Sequence, residues 1–413
     1  MEGKSTREEL GILLKDIKET FCLKNLFGPH LHGTSYHLSP HIHFFAIKLP
    51  FQYSVLRKIY WSMIYFNSVY IITEQIWSLS LGISTQLKIH YIMFRYLFLY
   101  GVISAAILMT NRQRIIAENR KLKALQWSLH CIDPKVKAAI GKRGLILSLI
   151  SEFCLLLLML YITVSAKELR HTFFISAVKR LHQPFLEDFL YFFEYLNFAF
   201  CVFFAAIVPQ LCIYFATEAE VQTRLLSAYV SRLTHKYNSS SMEQDQSLYH
   251  RKVYLHLAII HSRHLELKRF YTDNKALITS VGLKYIIPGI FSFTCNAFEY
   301  VQNNINLLMC GMNALFVVVF SVHTLYCGQT YEDEWKNYYR EICKLPWYIW
   351  TVDNRKIYLL ILMGSSRTTK IRIINNISVN YNLLVQIFKY FYASANAARN
   401  IYKKKVGPRS SIS

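Results

Sequence analysis

Ionisable side chains within apolar runs are where this chain could do chemistry. Glu152 lies in the run Ser148–Val164 and Glu194 in the run Phe189–Phe215. A carboxylate there is costly unless it faces a helix bundle, pairs with Arg or Lys, or sits near water; the sequence names no partner for either. Arg95 has two readings, snorkelling to a membrane interface or holding an acidic or carbonyl ligand. His30, His32, His37, His41 and His43 invite a metal. Their spacing matches no zinc pattern, and Gly28, Pro29, Gly33 and Pro40 make the segment a loop. His261 and His264 stand one helical turn apart and read as packing residues before metal ligands. No P-loop, GxSxG, HExxH or paired CxxC occurs, so the chain is read as a non-enzyme with no cofactor and no metal.

The elements that would position such groups are membrane-spanning helices. Of 413 residues, 53% are hydrophobic and 15% aromatic, and only 17% are charged, against about 25% in an ordinary soluble domain. Each bilayer crossing needs about 20 mostly apolar residues. Seven stretches qualify: Tyr53–Ile72, Ile89–Met109, Leu145–Tyr161, Leu190–Phe215, Leu277–Phe298, Ile305–Tyr326 and Ile373–Ala397. The last carries Asn375, Asn376, Asn380 and Asn382 in its first half, so it is expected to be buried among helices or to line water. The expected class is therefore an all-α polytopic membrane protein with seven transmembrane helices. The net charge of +22 suits an anionic membrane surface or nucleic acid; the apolar runs favour the membrane, and no nucleic-acid partner is expected.

Basic residues set the orientation. Arg112, Arg114, Arg120, Lys121, Lys123, Lys135, Lys137, Lys142 and Arg143 fall between the second and third spans, and a second basic group, Arg224 to Lys275, between the fourth and fifth. The positive-inside rule puts these loops and the N-terminus in the cytoplasm and the C-terminus outside. Met1–Thr20 is charged and has no apolar core, so no cleavable signal is expected. Of nine cysteines, none falls where an extracellular disulfide would form. Arg112–Leu129 and Tyr249–Tyr271 repeat apolar residues at helical spacing, which predicts helical extensions packed into a cytoplasmic bundle. The expected divisions are a cytoplasmic N-terminal segment (1–52), helices one to six (53–326), an anchor segment (327–372), a final helix (373–402) and an outer tail (403–413).

The last third carries an ordered set of features. Cys327, Gly328 and Gln329 are followed by Trp347 and Tyr348, a basic-apolar run from Arg355 to Met363, a polar step at Ser365, Ser366 and Arg367, and the final helix from Ile373. His261 and Leu265 add a step before the fifth span. In these features and in its span pattern the chain resembles the insect odorant receptors. The sister gustatory receptors carry Thr-Tyr, five apolar residues and Gln-Phe in the last helix; here Tyr381 and Gln386 stand one residue too close, with Asn380 and Ile387 beside them.

The resemblance implies a ligand-gated cation channel in the plasma membrane of sensory neurons, a heterotetramer with an obligate co-receptor whose cytoplasmic extensions knit the subunits. It implies a small volatile ligand bound in the outer half of the bundle. With the N-terminus inside, the residues there are Tyr91, Phe94, Arg95, Phe98, Tyr161, Tyr191, Tyr195, Phe198, Phe291 and Phe298; an interfacial aromatic belt or ordinary packing is the competing reading of each. It also implies that the seventh helix lines the pore, through Tyr392, Ala393, Ala397 and Ile401. Close helix packing by small residues competes there. The family's bulkier ending is replaced by Tyr392-Ala-Ser-Ala-Asn-Ala-Ala-Arg-Asn-Ile401.

Overall fold

A computed structural model of the chain describes residues 11–15, 44–51, 53–80, 85–127, 133–169, 184–239, 246–301, 307–367, 369–374 and 377–406. After a short helical segment (Phe44–Lys48, Leu49–Phe51) come α1 (Ser54–Ser80), α2 (Thr85–Thr110), α3 (Arg112–Ala124), α4 (Pro134–Leu169), α5 (Pro184–Ser239) and α6 (Gln246–Val301). They are followed by α7 (Leu307–Cys343), α8 (Val352–Ser366), the strands β1 (Arg372–Ile374) and β2 (Ile377–Ser378), and α9 (Tyr381–Val406). The seven expected spans coincide with long helices, except that the first begins one residue before α1, the start of the sixth (Ile305) lies outside the described residues, and the last begins later than expected. Among the described residues, Pro134–Val164 and Pro184–Tyr237 are the two helices long and apolar enough to cross a bilayer by length and composition.

Helix length separates a spanning part from a projecting one. At 1.5 Å per residue, the 56 residues of α5 and of α6 reach about 84 Å, against about 30 Å of hydrocarbon. Both therefore run on unbroken as a polar bundle, joined by the far end of α7. The second span behaves differently: α2 stops at Thr110, and α3 restarts after a turn at Asn111. Asn111 explains the break, because its Nδ2 donates back to the Ile107 carbonyl at 2.8 Å, the local bond that makes Asn a poor interior residue.

The central element is α5, which packs chiefly on α7 and α2 and then on α6 and α4. A Cβ at Gly101 of α2 would overlap the backbone of Cys201 on α5, so the absence of a side chain there sets how closely these helices approach. The core of this contact includes Ala105, Leu108, Phe198, Cys201 and Phe204, all fully or nearly fully buried.

The final span is corrected at its start. A helix was expected from Ile373, but β1 and β2 form a small antiparallel hairpin, with Arg372 opposite Ser378 and Ile374 opposite Ile377. The helix begins at Tyr381. Asn380 precedes it, and its Oδ1 accepts from the Leu383 N–H at 3.4 Å, an N-cap role that suits Asn better than a helix interior. The hairpin is docked on α7, where a Cβ at Gly328 would overlap the Val379 carbonyl. Nearby, the Val379 N–H donates to the Ile371 carbonyl at 2.8 Å.

Candidate ligand site and the adjoining polar bundle

Helix α1 runs antiparallel to α5, and their facing residues meet in register. Asn67 Nδ2 donates to Asn197 Oδ1 at 3.3 Å, and one turn along, the Tyr70 hydroxyl donates to Glu194 Oε1 at 2.5 Å. Each helix supplies two polar residues three apart, which places them on one face. Asn67, Asn197 and Glu194 are buried. The partner that the sequence did not name for Glu194 includes Tyr70.

Beside these polar pairs stands a ring cluster centred on Phe198 of α5, which is fully buried. Phe98 of α2 lies 5.9 Å from it and Tyr161 of α4 6.0 Å, both tilted. Tyr70 reaches Phe98 at 6.4 Å. These separations and tilts are those that aromatic pairs favour. Four helices thus converge on a buried cluster of aromatic rings with a carboxyl group, a phenol and two amides at its edge.

Of the sequence-derived ligand residues, Phe98, Tyr161 and Phe198 come together in this cluster. Tyr191 and Tyr195 are half-buried against the same core. The side chains of Tyr91, Phe94, Arg95, Phe291 and Phe298 lie outside the described side chains. Asn67 and Tyr70 were missed. Their signal was the polar pair three residues apart within a span, matched by Glu194 and Asn197. Of the pore set, Tyr392, Ala393 and Ala397 are exposed on α9, and the side chain of Ile401 lies outside the described ones. The segment holding His30 to His43 is likewise outside the described residues.

The projecting ends of α5, α6 and α7 are joined by ionic and aromatic contacts. Arg143 of α4 meets buried Glu220 of α5 at 2.5 Å, and its guanidinium lies 5.5 Å from the Tyr326 ring centroid. Arg224 Nε and Nη2 donate to Glu334 Oε1 of α7 at 3.0 and 2.5 Å. Burial pushes the Glu220 carboxyl up to about 7, against the pull of Arg143 and Arg224. Arg263 Nη2 donates to Gln222 Oε1 at 2.9 Å and its guanidinium lies 5.0 Å from the Trp127 ring centroid.

His264 is buried between Trp335, edge-on at 5.6 Å, and Tyr338, stacked at 5.6 Å. Burial, then the charges of Lys268 and His261, lower its imidazole to about 4, so it is neutral at pH 7. This is the packing role expected of one member of the His261/His264 pair. His261 itself lines an open groove of about 430 Å³ with Tyr254, Leu265, Ile357 and Leu360. Among the described residues, no group of three or more His, Cys, Asp or Glu could hold a metal ion.

The ordered features of the last third occupy one region. Cys327 is buried, 3.8 Å from Thr217 Oγ1, and Trp347 stacks on Tyr358 with the rings at 10°. The carbonyls of Gly364 and Lys370, on either side of the step after α8, accept from Lys268 and Tyr271 of α6. Lys370 also bridges to Glu332 of α7 at 2.9 Å. The chain between α8 and α9 is thereby tied to both long helices.

This arrangement defines an all-α, multi-span fold similar to that of solved insect olfactory receptors. The structure of olfactory receptor OR5 from Machilis hrabei in complex with eugenol matches at a TM-score of 0.64 with 10% identity, over 87% of this chain and 96% of that one. A second structure of the same receptor matches at 0.63 with 10% identity, over 95% and 99%. Both neighbours are receptors rather than enzymes. No family model matches the chain, and no curated protein matches it in sequence.

Proposed function

We propose that the chain is an odorant-binding subunit of a ligand-gated cation channel, tuned to small volatile molecules and working in a heterotetramer with an obligate co-receptor. The observation that carries this reading is the Phe98–Tyr161–Phe198 cluster, set in a fold shared with a receptor solved with eugenol. Stacked and tilted rings recognise a compact apolar molecule by shape and dispersion. The ligand then lies in the outer half of the bundle, with the N-terminus cytoplasmic and the C-terminus extracellular, in the plasma membrane of sensory neurons. The basic residues between the second and third spans support that orientation.

The pore role of α9 is supported by its surface. Tyr392, Ala393 and Ala397 are exposed along it, while Leu383 and Phe391 are buried. The projecting bundle is the assembly region: Tyr348, Val352, Leu360 and Met363 stand exposed there beside the groove of His261, an apolar surface that a subunit partner would cover.

Expression in cells without native receptors tests the reading. Currents evoked by a panel of volatile compounds are expected only when the co-receptor is present. Robust current from the chain alone would make it a self-sufficient receptor, as in the gustatory type, and absence of current under both conditions would overturn the channel reading. Orientation has its own probe. Asn238-Ser-Ser is a glycosylation acceptor sequence that stays unmodified if it faces the cytosol, so glycan on Asn238 would reverse the topology.

A further inference from the structure

The apolar run of α5 ends near Phe215, and two buried carboxylates, Glu218 and Glu220, follow it. Glu220 pairs with Arg143 of α4, and the charge of Glu218 acts on Lys123 of α3. Residues two apart on one helix thus bring α3 and α4 to the same height, the height at which the bundle passes from apolar to polar. Lys48, whose charge also acts on Lys123, and Arg112, whose Nε donates to the Phe51 carbonyl at 3.0 Å, bring the segment before α1 to that level.

Cations without an ion-pair partner among the described residues stand around it: Lys58 at the start of α1, Arg120 and Lys123 on α3, and Lys135, Lys137 and Lys142 in the first turns of α4. Among the described residues, none of these six side chains makes an ion pair or a hydrogen bond, and all but half-buried Lys137 are exposed. The neighbouring carboxylates are engaged elsewhere. Glu118 and Asp273 hold Lys121 at 2.9 and 3.0 Å, and Asp133 Oδ1 accepts from the backbone N–H of Lys135 at 2.9 Å. Partial burial of its ammonium, and second the charge of Lys48, lower the pKa of Lys123, with Glu218 opposing.

We propose that this rim is a binding surface for anionic phospholipid headgroups. The chemistry follows from position. Unpaired cations at the apolar-to-polar boundary of spanning helices lie in the headgroup plane, where anionic lipids are held at high local density and cannot diffuse away in three dimensions. The inference rests on the multi-span fold and the rim residues and does not need the odorant reading.

The test is lipid selection by the full chain in nanodiscs of phosphatidylcholine, alone or mixed with phosphatidylserine, read as the lipid retained by native mass spectrometry. Wild type is expected to enrich phosphatidylserine. The triple variant Lys135→Gln/Lys137→Gln/Lys142→Gln is expected to lose about fivefold of that preference per charge removed. The pair Arg120→Gln/Lys123→Gln, on a different helix, provides a second reading should the triple variant fold poorly. Lys344→Gln/Lys356→Gln, distant in the polar bundle, is expected to select as wild type does. Equal retention of the two lipids by wild type would overturn the proposal, as would unchanged selection in both rim variants. Competition by inorganic phosphate at matched ionic strength would assign the rim to free anions instead of lipid, and that result also overturns it.

Discussion

Tyr70 and Glu194 meet at 2.5 Å across two antiparallel helices, and the Asn67–Asn197 contact one turn away repeats the register. Together they lock α1 against the face of α5 that carries Phe198. Tyr70→Phe removes the hydroxyl donor and leaves the ring in place. Loss of one hydrogen bond to a buried acceptor costs about 1–3 kcal/mol, with the lower part of that range expected because Glu194 has further contacts. Thermal unfolding in detergent should show this loss, and Glu194→Gln should show a smaller one. A Tyr70→Phe variant as stable as wild type would separate the two residues energetically.

Phe198 is the hub of the ring cluster, and two substitutions there separate folding from recognition. Phe198→Ala should destabilise by about 3–5 kcal/mol, the cost of a large cavity. Phe198→Leu fills most of the volume and should fold, yet lose the ring contacts to Phe98 and Tyr161. Its ligand response should shift to about tenfold higher concentration, within the 1–3 kcal/mol that one apolar contact contributes to discrimination. An unshifted dose–response in Phe198→Leu would place the ligand elsewhere.

What the sequence made legible was set by composition along single helices. Apolar runs located the long helices, and the aromatic residues picked out within them included Phe98, Tyr161 and Phe198, which meet in one cluster. Pairings between helices were not legible: the polar pairs Asn67/Tyr70 and Glu194/Asn197 stand out within their spans, but register depends on how α1 and α5 lie against each other, and neither pair says which one it meets. The start of α9 was misread for a related reason. Asn380 looked like a polar residue within one helix, whereas the chain first turns through a hairpin docked where Gly328 approaches Val379, and Asn380 caps the helix that follows; Asn375 and Asn376 lie outside the described residues.

The Arg143–Glu220 pair is buried on the Glu220 side, where the carboxylate is fully covered. Removing one member strands the other charge, which costs about 3–5 kcal/mol, whereas replacing both by apolar residues is often neutral. Glu220→Ala should therefore unfold at markedly lower denaturant, and Arg143→Met/Glu220→Leu should recover much of the loss, since Arg224 keeps Glu334 at 2.5 Å. A double variant as unstable as Glu220→Ala would mean that Arg143 serves chiefly through its contact with Tyr326.

His264 gives the polar bundle an acid sensitivity of defined sign. Its folded pKa, about 4, lies below the ordinary imidazole value of 6.5, so the unfolded chain binds more protons between those values, and stability falls as pH drops from about 6.5 toward 4. A shift of that size is worth about 3 kcal/mol. His264→Phe retains a ring between Trp335 and Tyr338 and carries no proton. The slope of unfolding free energy against pH over this window should flatten in that variant; an unchanged slope would trace the acid sensitivity to other groups.

Exposure along α9 makes the pore assignment testable by chemistry at single positions. In a Cys343→Ser background, which removes the one exposed thiol among the described cysteines, Tyr392→Cys, Ala393→Cys and Ala397→Cys place thiols at exposed positions of the helix, while Leu383→Cys and Phe391→Cys place them at buried ones. A charged thiol reagent added during ligand-evoked current should block the first group within seconds and leave the second unmodified, because a thiol reacts as its thiolate and a buried thiol is inert. Modification that is faster with ligand than without would tie the exposed positions to an opening path. Arg399, exposed two residues beyond Ala397, refines the boundary: a cation beside a cation path raises the barrier to permeation, so Arg399→Ala should increase conductance if it faces that path. Equal reaction rates in both groups, together with unaltered conductance in Arg399→Ala, would remove this helix from the pore wall.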